Sequence, residues 1–127
     1  MSLPEEELYL KIKCERLREL LKWRETIPLV LRAIREVLGE KASVYLFGSA
    51  IEGRLTVDSD IDIAIILDKV PKRGLERARI LEEIWRKLEL MGVSYWYPLE
   101  IHLMTLKEKK LLEKGGAKFI ELQEGTG

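Results

Sequence analysis

The feature of this sequence that most constrains the fold is an apolar run that directly follows two closely spaced acids. Residues 61–67 read Ile-Asp-Ile-Ala-Ile-Ile-Leu, and residues 64–67 have no polar side chain on either face. A β-branched run of this length is typical of a strand, and a strand that is apolar on both faces has to be covered on both sides. We therefore expect a central strand within a small sheet.

Apolar residues at helical spacing predict the elements that cover this sheet. We expect four helices, at about residues 5–24, from residue 27 to Gly39, across residues 78–88, and from Thr105 to the glycines at 115–116. Thr26 is the expected N-cap of the second helix, with Pro28 in its first turn. The first helix has an apolar stripe that we interpret as core-facing, made of Leu10, Cys14, Leu17 and Leu21.

Two further segments, residues 43–47 and 99–104, are predicted strands, and residues 119–122 could form a short additional one. The order of helices and strands predicts an α/β or α+β fold with a small mixed sheet and flanking helices. The chain has 127 residues, of which 46% are hydrophobic. That is the size of one compact domain, so residues 1–127 are expected to form a single domain.

The composition excludes several classes of function. The 22 basic and 22 acidic residues cancel, so no global positive field favours nucleic acid. Cys14 is the only cysteine and His102 the only histidine, which excludes an internal disulfide and a zinc site of the usual four-ligand kind within one chain. No apolar run approaches the roughly 20 residues of a membrane helix, and no secretory signal is recognisable. We expect a cytoplasmic protein without membrane contact.

A sharp turn is expected after the strand at residues 43–47. Gly48 has no Cβ, so the backbone there can approach a ligand closely, and the Ser49 hydroxyl follows it. If a helix begins at this point, its free N–H groups together with the hydroxyl favour a phosphate. Alone, a Gly-Ser pair is usually only a turn.

Two acids come next in the sequence. Asp60 and Asp62 are two residues apart, so on a strand both side chains project from the same face. Adjacent carboxylates repel each other unless a cation lies between them, and Mg²⁺ prefers such oxygen ligands together with phosphates. The alternative is a plain turn at residues 58–60, with Asp62 at an exposed strand start.

A third acid, Glu100, lies on a later predicted strand and shares one face of it with His102. If the two strands are neighbours, Glu100 completes three converging acids, which suit two-metal phosphoryl transfer. Otherwise Glu100 is an ordinary solvent-facing residue. His102 either pairs with the acids or faces solvent, and the second interpretation is favoured.

The combination of Gly48-Ser49, ten intervening residues and Asp60-x-Asp62 resembles the signature of the DNA polymerase beta-type nucleotidyltransferases. A close parallel is the motif of the minimal nucleotidyltransferases of archaea and bacteria. The resemblance covers roughly residues 43–104 and implies the nucleotidyltransferase fold of that superfamily.

The resemblance also implies roles for individual residues. Asp60 and Asp62 would ligate the Mg²⁺ that carries a nucleoside triphosphate such as ATP. Gly48 and Ser49 would hold the β- and γ-phosphates. Glu100 would help to bind a second metal ion or accept the proton of the attacking hydroxyl.

Two positions depart from the family pattern. Glu52 stands where members often have arginine, and Arg54, two residues further on, is the candidate replacement as a nucleotide ligand. Glu100 stands where members usually have aspartate. These departures support an alternative from another class, a catalytically inactive binding module that neutralises a partner by contact.

In the family, minimal units of this size often act beside small all-helical HEPN proteins. Such pairs resemble toxin–antitoxin systems in which the nucleotidyltransferase adenylylates its partner. The resemblance therefore implies transfer of AMP from ATP to a hydroxyl acceptor, on such a partner protein in the antitoxin case. The long N-terminal helices are the candidate surface for a partner or for a homo-oligomer.

Overall fold

The computed structural model describes residues 4–56 and 58–124, and this part of the chain contains four α-helices and four strands. The helices are α1 (Glu5–Leu21), α2 (Trp23–Leu38), α3 (Gly74–Leu90) and α4 (Leu106–Lys114). The strands are β1 (Ser43–Phe47), β2 (Ile61–Ile66), β3 (Leu99–Met104) and β4 (Phe119–Glu121). The predicted mixed sheet with flanking helices is confirmed.

β2 lies inside the sheet, as its apolar run predicted. The strand order is β3-β2-β1-β4, with β2 parallel to β3 and antiparallel to β1, and β4 antiparallel to β1. Ile63, Ala64 and Ile65 of β2 are fully buried, which accounts for the absence of polar side chains there. Because β2 and β3 are parallel, their first residues lie at the same edge of the sheet.

The two faces of the sheet differ in chemistry, because side chains alternate along each strand. The core face carries Leu46, Ile63 and Ile101, which are neighbours across β1, β2 and β3 and pack in one apolar cluster with residues of α2 and α3. The opposite face, which we call the site face, carries mostly polar and aromatic side chains: Phe47, Asp62 and Glu100 in one row, and Tyr45, Ala64 and His102 in the next.

The predicted start of α2 at Thr26 is wrong. The helix begins at Trp23, and only Lys22, with φ −85° and ψ 10°, separates it from α1. No glycine, asparagine or proline in this stretch imposes a loop, so helical backbone resumes at once. Pro28 therefore lies inside α2, where it removes one intrahelical hydrogen bond. Pro28 is exposed, so water can satisfy the Arg24 carbonyl that lacks its usual donor.

The other expectations for α2 and α4 are confirmed. α2 buries its predicted apolar stripe, including Ile27, Val30 and Ile34. Thr105 caps α4 with a capping box: the Glu108 N–H donates to the Thr105 hydroxyl at 3.2 Å, and the Glu108 carboxylate accepts from the Thr105 N–H at 3.4 Å. Across the described residues, no helix combines the length and apolar character required to cross a membrane.

The apolar stripe of α1 does not belong to the core, contrary to prediction. Leu10 and Leu21 are 61% and 62% exposed, Cys14 is exposed, and Leu17 is only partly buried. Leu20, one position away from the stripe, is the buried residue of α1. Periodicity identifies a helix but not what covers it, and here much of the apolar surface of α1 stays uncovered.

Candidate active site

Two parallel strands bring Asp62 and Glu100 together although they are far apart in sequence. Each is the second residue of its strand, and the two are register partners across β2 and β3. The Ile61 N–H donates to the Pro98 carbonyl at 2.8 Å. This hydrogen bond aligns the first residues of the two strands. β3 is therefore the neighbour of β2, the condition on which the predicted role of Glu100 depends.

His102 lies beside these two carboxylates on the site face. Its Nε2 is 3.2 Å from Oδ1 of Asp62 and 3.7 Å from Oε1 of Glu100. One ligand atom from each residue lies within 4.8 Å of the other two, and we call this group the acid–histidine cluster. The favoured expectation was that His102 simply faces solvent. It instead contacts both acids. Two carboxylates and an imidazole form a donor set that suits a divalent cation.

The turn after β1 lies directly against the cluster. Gly48 has φ +82°, and a Cβ built on it would lie 2.5 Å from Oδ2 of Asp62. Both the left-handed backbone and the close carboxylate therefore require glycine. Residues 48–50 form one turn of 3-10 helix, closed by a hydrogen bond from the Ile51 N–H to the Gly48 carbonyl, which also accepts from the Glu52 N–H at 3.2 Å. A longer helix, one of the forms expected here, does not develop.

Asp60 lies outside the acid–histidine cluster. It precedes β2, so strand alternation does not force it onto the face of Asp62. Oδ1 of Asp60 is instead 3.6 Å from a guanidinium nitrogen of Arg16 on α1, and its side chain is 47% exposed. The role of Asp60 as a metal ligand stays a prediction.

A second contact between α1 and this loop lies close by. The Lys13 ammonium donates to Asp58 at 2.9 Å. This hydrogen bond holds the pKa of the Asp58 carboxyl below its ordinary value and raises the pKa of Lys13. Together with the Arg16–Asp60 pair, it ties α1 to the segment that leads into β2.

Arg54 pairs with a neighbouring acid, whereas Gly48 lies against Asp62. Its guanidinium pairs with the carboxylate of Glu52, and its side chain is 70% exposed. Glu52, which stands where family members often have arginine, therefore contacts Arg54, the candidate replacement for that arginine. Binding of nucleotide by Arg54 and by Ser49 stays a prediction.

An aromatic layer borders the cluster on the site face. The Phe47 and His102 rings meet edge to face, with centroids 5.2 Å apart, and Phe47 stacks on Phe119 at 4.8 Å. The Lys109 ammonium lies 4.5 Å from the centre of the Tyr45 ring. No sequence pattern indicates this layer, because it depends on strand order: β4 beside β1 brings in Phe119, and β2 between β1 and β3 brings Phe47 near His102. The alternation of Glu100 and His102 was the available signal for the histidine.

Comparison with known proteins identifies the class. The profile of the nucleotidyltransferase domain family matches residues 27–123, which include β1, the Gly48 turn and the whole acid–histidine cluster. The chain belongs to this family and is a nucleotidyltransferase. No sequence among the curated proteins matches it.

Two solved structures resemble the chain. A crystal structure of a candidate nucleotidyltransferase from Sulfolobus solfataricus has a TM-score of 0.59 and 13% identity, over 88% of this chain and 90% of its own. Another crystal structure of a candidate nucleotidyltransferase has a TM-score of 0.49 and 26% identity, over 74% of this chain and 94% of its own. The first likeness shows the fold.

Family membership implies a nucleotide substrate. Nucleotidyltransferases of this family usually use a divalent metal ion. Asp62, Glu100 and His102 fit such an ion by donor type and by spacing.

Proposed function

We propose that this chain transfers a nucleoside monophosphate, AMP from ATP, to a hydroxyl group in a Mg²⁺-dependent reaction. The observation that carries the proposal is the acid–histidine cluster, whose ligand atoms lie within 4.8 Å of one another beside the Gly48 turn. Bound Mg²⁺ would neutralise the charge of the triphosphate and polarise the reacting phosphorus. The contribution of the chain is mainly to position groups and to fix charges in advance.

The proposed metal ligands are Asp60, Asp62 and Glu100, and the proposed nucleotide contacts are Gly48, Ser49 and Arg54. To bind the metal, Asp60 has to give up its ion pair with Arg16. Both side chains of that pair are nearly half exposed and 3.6 Å apart, and exposed ion pairs contribute little free energy. His102 holds Oδ1 of Asp62 at 3.2 Å and so restricts the rotation of that carboxylate.

The transfer step balances as follows. The acceptor oxygen forms a bond to the α-phosphorus, and the bond from that phosphorus to the oxygen that bridges to the β-phosphate breaks. Pyrophosphate leaves with the electron pair. The hydroxyl proton passes to a carboxylate or to water, and Glu100, which is 56% exposed and lies on the outer strand β3, either takes this proton or ligates the metal.

The setting of the reaction belongs to the same proposal. A HEPN-type helical protein as the acceptor would make the chain an antitoxin that acts in the cytoplasm. Self-association is a further part of the proposal, as is a single domain over residues 1–127, of which residues 1–3, 57 and 125–127 lie outside the described part. The exposed apolar residues of α1 support a protein partner.

The test compares two site variants with a matched control. Asp62→Asn and Glu100→Gln remove charge at the cluster, whereas Asp68→Asn removes it from an exposed acid just beyond the other end of β2, roughly 20 Å away. Mg²⁺ with ATP at 100 times Kd should stabilise the wild type and Asp68→Asn by about 2.7 kcal/mol, and both site variants much less. Labelled AMP should appear on an acceptor only with the first two proteins. An equal shift in all four proteins would contradict the proposal.

Two ion pairs favour a second candidate, the catalytically inactive binding module. Arg16 engages Asp60, and Glu52 engages Arg54, so two groups with proposed roles are held by neighbours. This candidate predicts that Asp60→Ala combined with Asp62→Ala leaves neutralisation of a partner unchanged. The enzyme predicts that the same pair of substitutions abolishes it.

A further inference from the structure

The acid–histidine cluster contains one donor that the proposed set of metal ligands does not use. The proposed ligands Asp60, Asp62 and Glu100 offer oxygen atoms only. The cluster instead combines Asp62 and Glu100 with the imidazole of His102, the only histidine of the chain. A neutral imidazole nitrogen can bind a metal ion as well as form a hydrogen bond, so the role of this side chain has to be decided from its position.

The position of His102 results from a diagonal contact between two strands. Its register partner on β2 is Ala64, and Asp62 lies two residues before Ala64 on the same face. Diagonal neighbours of this kind are within reach of long side chains, and Ala64 has no atom beyond Cβ to block the direction. The edge-to-face contact with Phe47, with ring centroids 5.2 Å apart, limits rotation of the imidazole ring. His102 is therefore held toward Asp62.

The distances within the cluster are close to those between ligands that share one ion. Nε2 of His102 is 3.2 Å from Oδ1 of Asp62 and 3.7 Å from Oε1 of Glu100. Two neighbouring donors that are each about 2.1 Å from an ion lie about 3.0 Å apart in octahedral geometry and about 3.4 Å apart in tetrahedral geometry. Small side-chain adjustments would therefore bring all three donors onto one ion without any change in the strands.

Asp60 is less ready than His102 to act as a ligand. It lies in the loop before β2, and its Oδ1 is 3.6 Å from a guanidinium nitrogen of Arg16. The three donors of the cluster, in contrast, already lie on one face of the sheet. Glu100 is on an outer strand, and its side chain is 56% exposed. This side of the cluster therefore stays accessible to phosphate oxygens, as a catalytic metal site requires.

The nitrogen donor affects which ions the site prefers. Mg²⁺ prefers oxygen ligands and gives up its water molecules reluctantly. Divalent transition metal ions accept imidazole more readily, and their affinity for a site of nitrogen and oxygen donors rises from Mn²⁺ to Cu²⁺. Two carboxylates together with one imidazole therefore favour a transition metal ion over Mg²⁺.

We propose that His102 is a metal ligand of this site together with Asp62 and Glu100, and that the site takes a divalent transition metal ion such as Mn²⁺ in preference to Mg²⁺. This inference rests on the proposed function, which requires a divalent ion beside the Gly48 turn. Mg²⁺ binds to the same site with lower affinity, and Asp60 joins the ligands when the nucleotide binds.

The test measures metal binding to the untagged protein in the absence of nucleotide, so its readout does not depend on activity. Mn²⁺ is titrated by electron paramagnetic resonance, and Mg²⁺ is measured by its competition with Mn²⁺. Pulsed measurements on the same samples detect coupling of Mn²⁺ to a directly bound nitrogen nucleus. The wild type should show this coupling and should bind Mn²⁺ about tenfold or more tightly than Mg²⁺.

Two variants at position 102 separate metal ligation from a structural role. His102→Ala should lose the nitrogen coupling and weaken Mn²⁺ binding by about tenfold or more, since removal of a group that only orients a ligand already costs about 10–100-fold in metal affinity. His102→Glu offers oxygen in place of nitrogen, so it should lose the coupling, keep Mg²⁺ binding and show a smaller preference for Mn²⁺. The matched control is Asp68→Asn at an exposed acid, which should equal the wild type in all three measurements.

Mn²⁺ binding by the wild type without nitrogen coupling would overturn the inference and leave the proposed function with oxygen ligands alone. Equal Mn²⁺ affinity in the wild type and His102→Ala, or equal affinity of the wild type for the two ions, would also overturn it. Nitrogen coupling without transfer of AMP to any acceptor would support the metal site and contradict the proposed transfer. If neither ion binds, with or without ATP, the inference and the proposed function both fail.

Discussion

The core face and the site face of the sheet are built from the same strands but follow different rules. On the core face, Ile63 and Ile65 are fully buried, and their environment is uniformly apolar. On the site face, the side chains of Asp62 and His102 remain 23% and 34% exposed, and polar groups contact one another. A shift of the β2 register by one residue would exchange the two faces, so the register that buries the isoleucines also sets the acids in place.

This comparison shows how a small domain can hold like charges close together. The apolar face supplies the free energy that keeps β2 and β3 paired. The acids on the other face then stay adjacent although they repel each other in the absence of a cation. Substitutions that act on one face only can test this separation.

The largest effect is expected on the core face. Ile63→Ala removes a fully buried side chain and leaves a cavity, so the free energy of unfolding should fall by about 2–5 kcal/mol. His102→Ala on the site face should change it by only about 1 kcal/mol. Urea denaturation monitored by circular dichroism measures both values. If both substitutions lowered the free energy of unfolding equally, the two faces would not differ in their contribution to stability.

A smaller effect is expected at the turn that borders the site face. Gly48→Ala imposes a positive φ on alanine, which costs about 1–3 kcal/mol, and also places a Cβ against Asp62. Gly39→Ala is the matched control, because Gly39 has φ +84° but open space around the added Cβ. Both variants should be destabilised, but only Gly48→Ala should lose the thermal shift with Mg²⁺ and ATP. Loss of that shift in both variants would show that the close contact with Asp62 is irrelevant.

The smallest effect on stability is expected at the ion pair of Lys13 and Asp58, which lies on neither face of the sheet. The pKa of Asp58 is lowered and that of Lys13 is raised. The stabilising contribution of Asp58 is therefore present above its unfolded pKa and is lost as the pH falls through the folded value. That of Lys13 is present below its unfolded pKa and is lost as the pH rises through the folded value.

Lys13→Gln should accordingly return the pKa of Asp58 to its ordinary range in an NMR titration, with little change in stability near neutral pH. Glu82→Gln, which removes the partner of Arg86 in an exposed pair on α3, is the control and should leave that titration unchanged. A normal pKa of Asp58 in the wild type would refute the Lys13 contact.

Much of the sheet could be predicted because local sequence determines it. The run at residues 61–67 required burial on both faces, and the segments at 43–47 and 99–104 coincide with β1 and β3. The turn at Gly48 was predicted from the glycine alone, but its contact with Asp62 was not, because that contact depends on the pairing of β1 with β2. Periodicity and spacing describe residues that are close in sequence, and a single strand or turn is formed by such residues.

The failures concern features that depend on the tertiary structure. α1 forms as its periodicity predicts, but whether Leu10 is buried depends on a covering element that the sequence does not specify. α2 begins at Trp23 rather than Thr26 because no residue there interrupts the helix. Asp60 lies in the loop before β2, where strand alternation does not apply, and contacts Arg16 of α1; its role as a metal ligand stays a prediction.

The close contact between Gly48 and Asp62 has an evolutionary consequence. As long as residue 62 is aspartate, any residue with a Cβ at position 48 would collide with its carboxylate. A descendant that lost the acid would lose that barrier, and only the left-handed backbone would remain, which asparagine tolerates. Joint drift at positions 48 and 62 would therefore mark descendants of this protein that have lost the acid while keeping the fold.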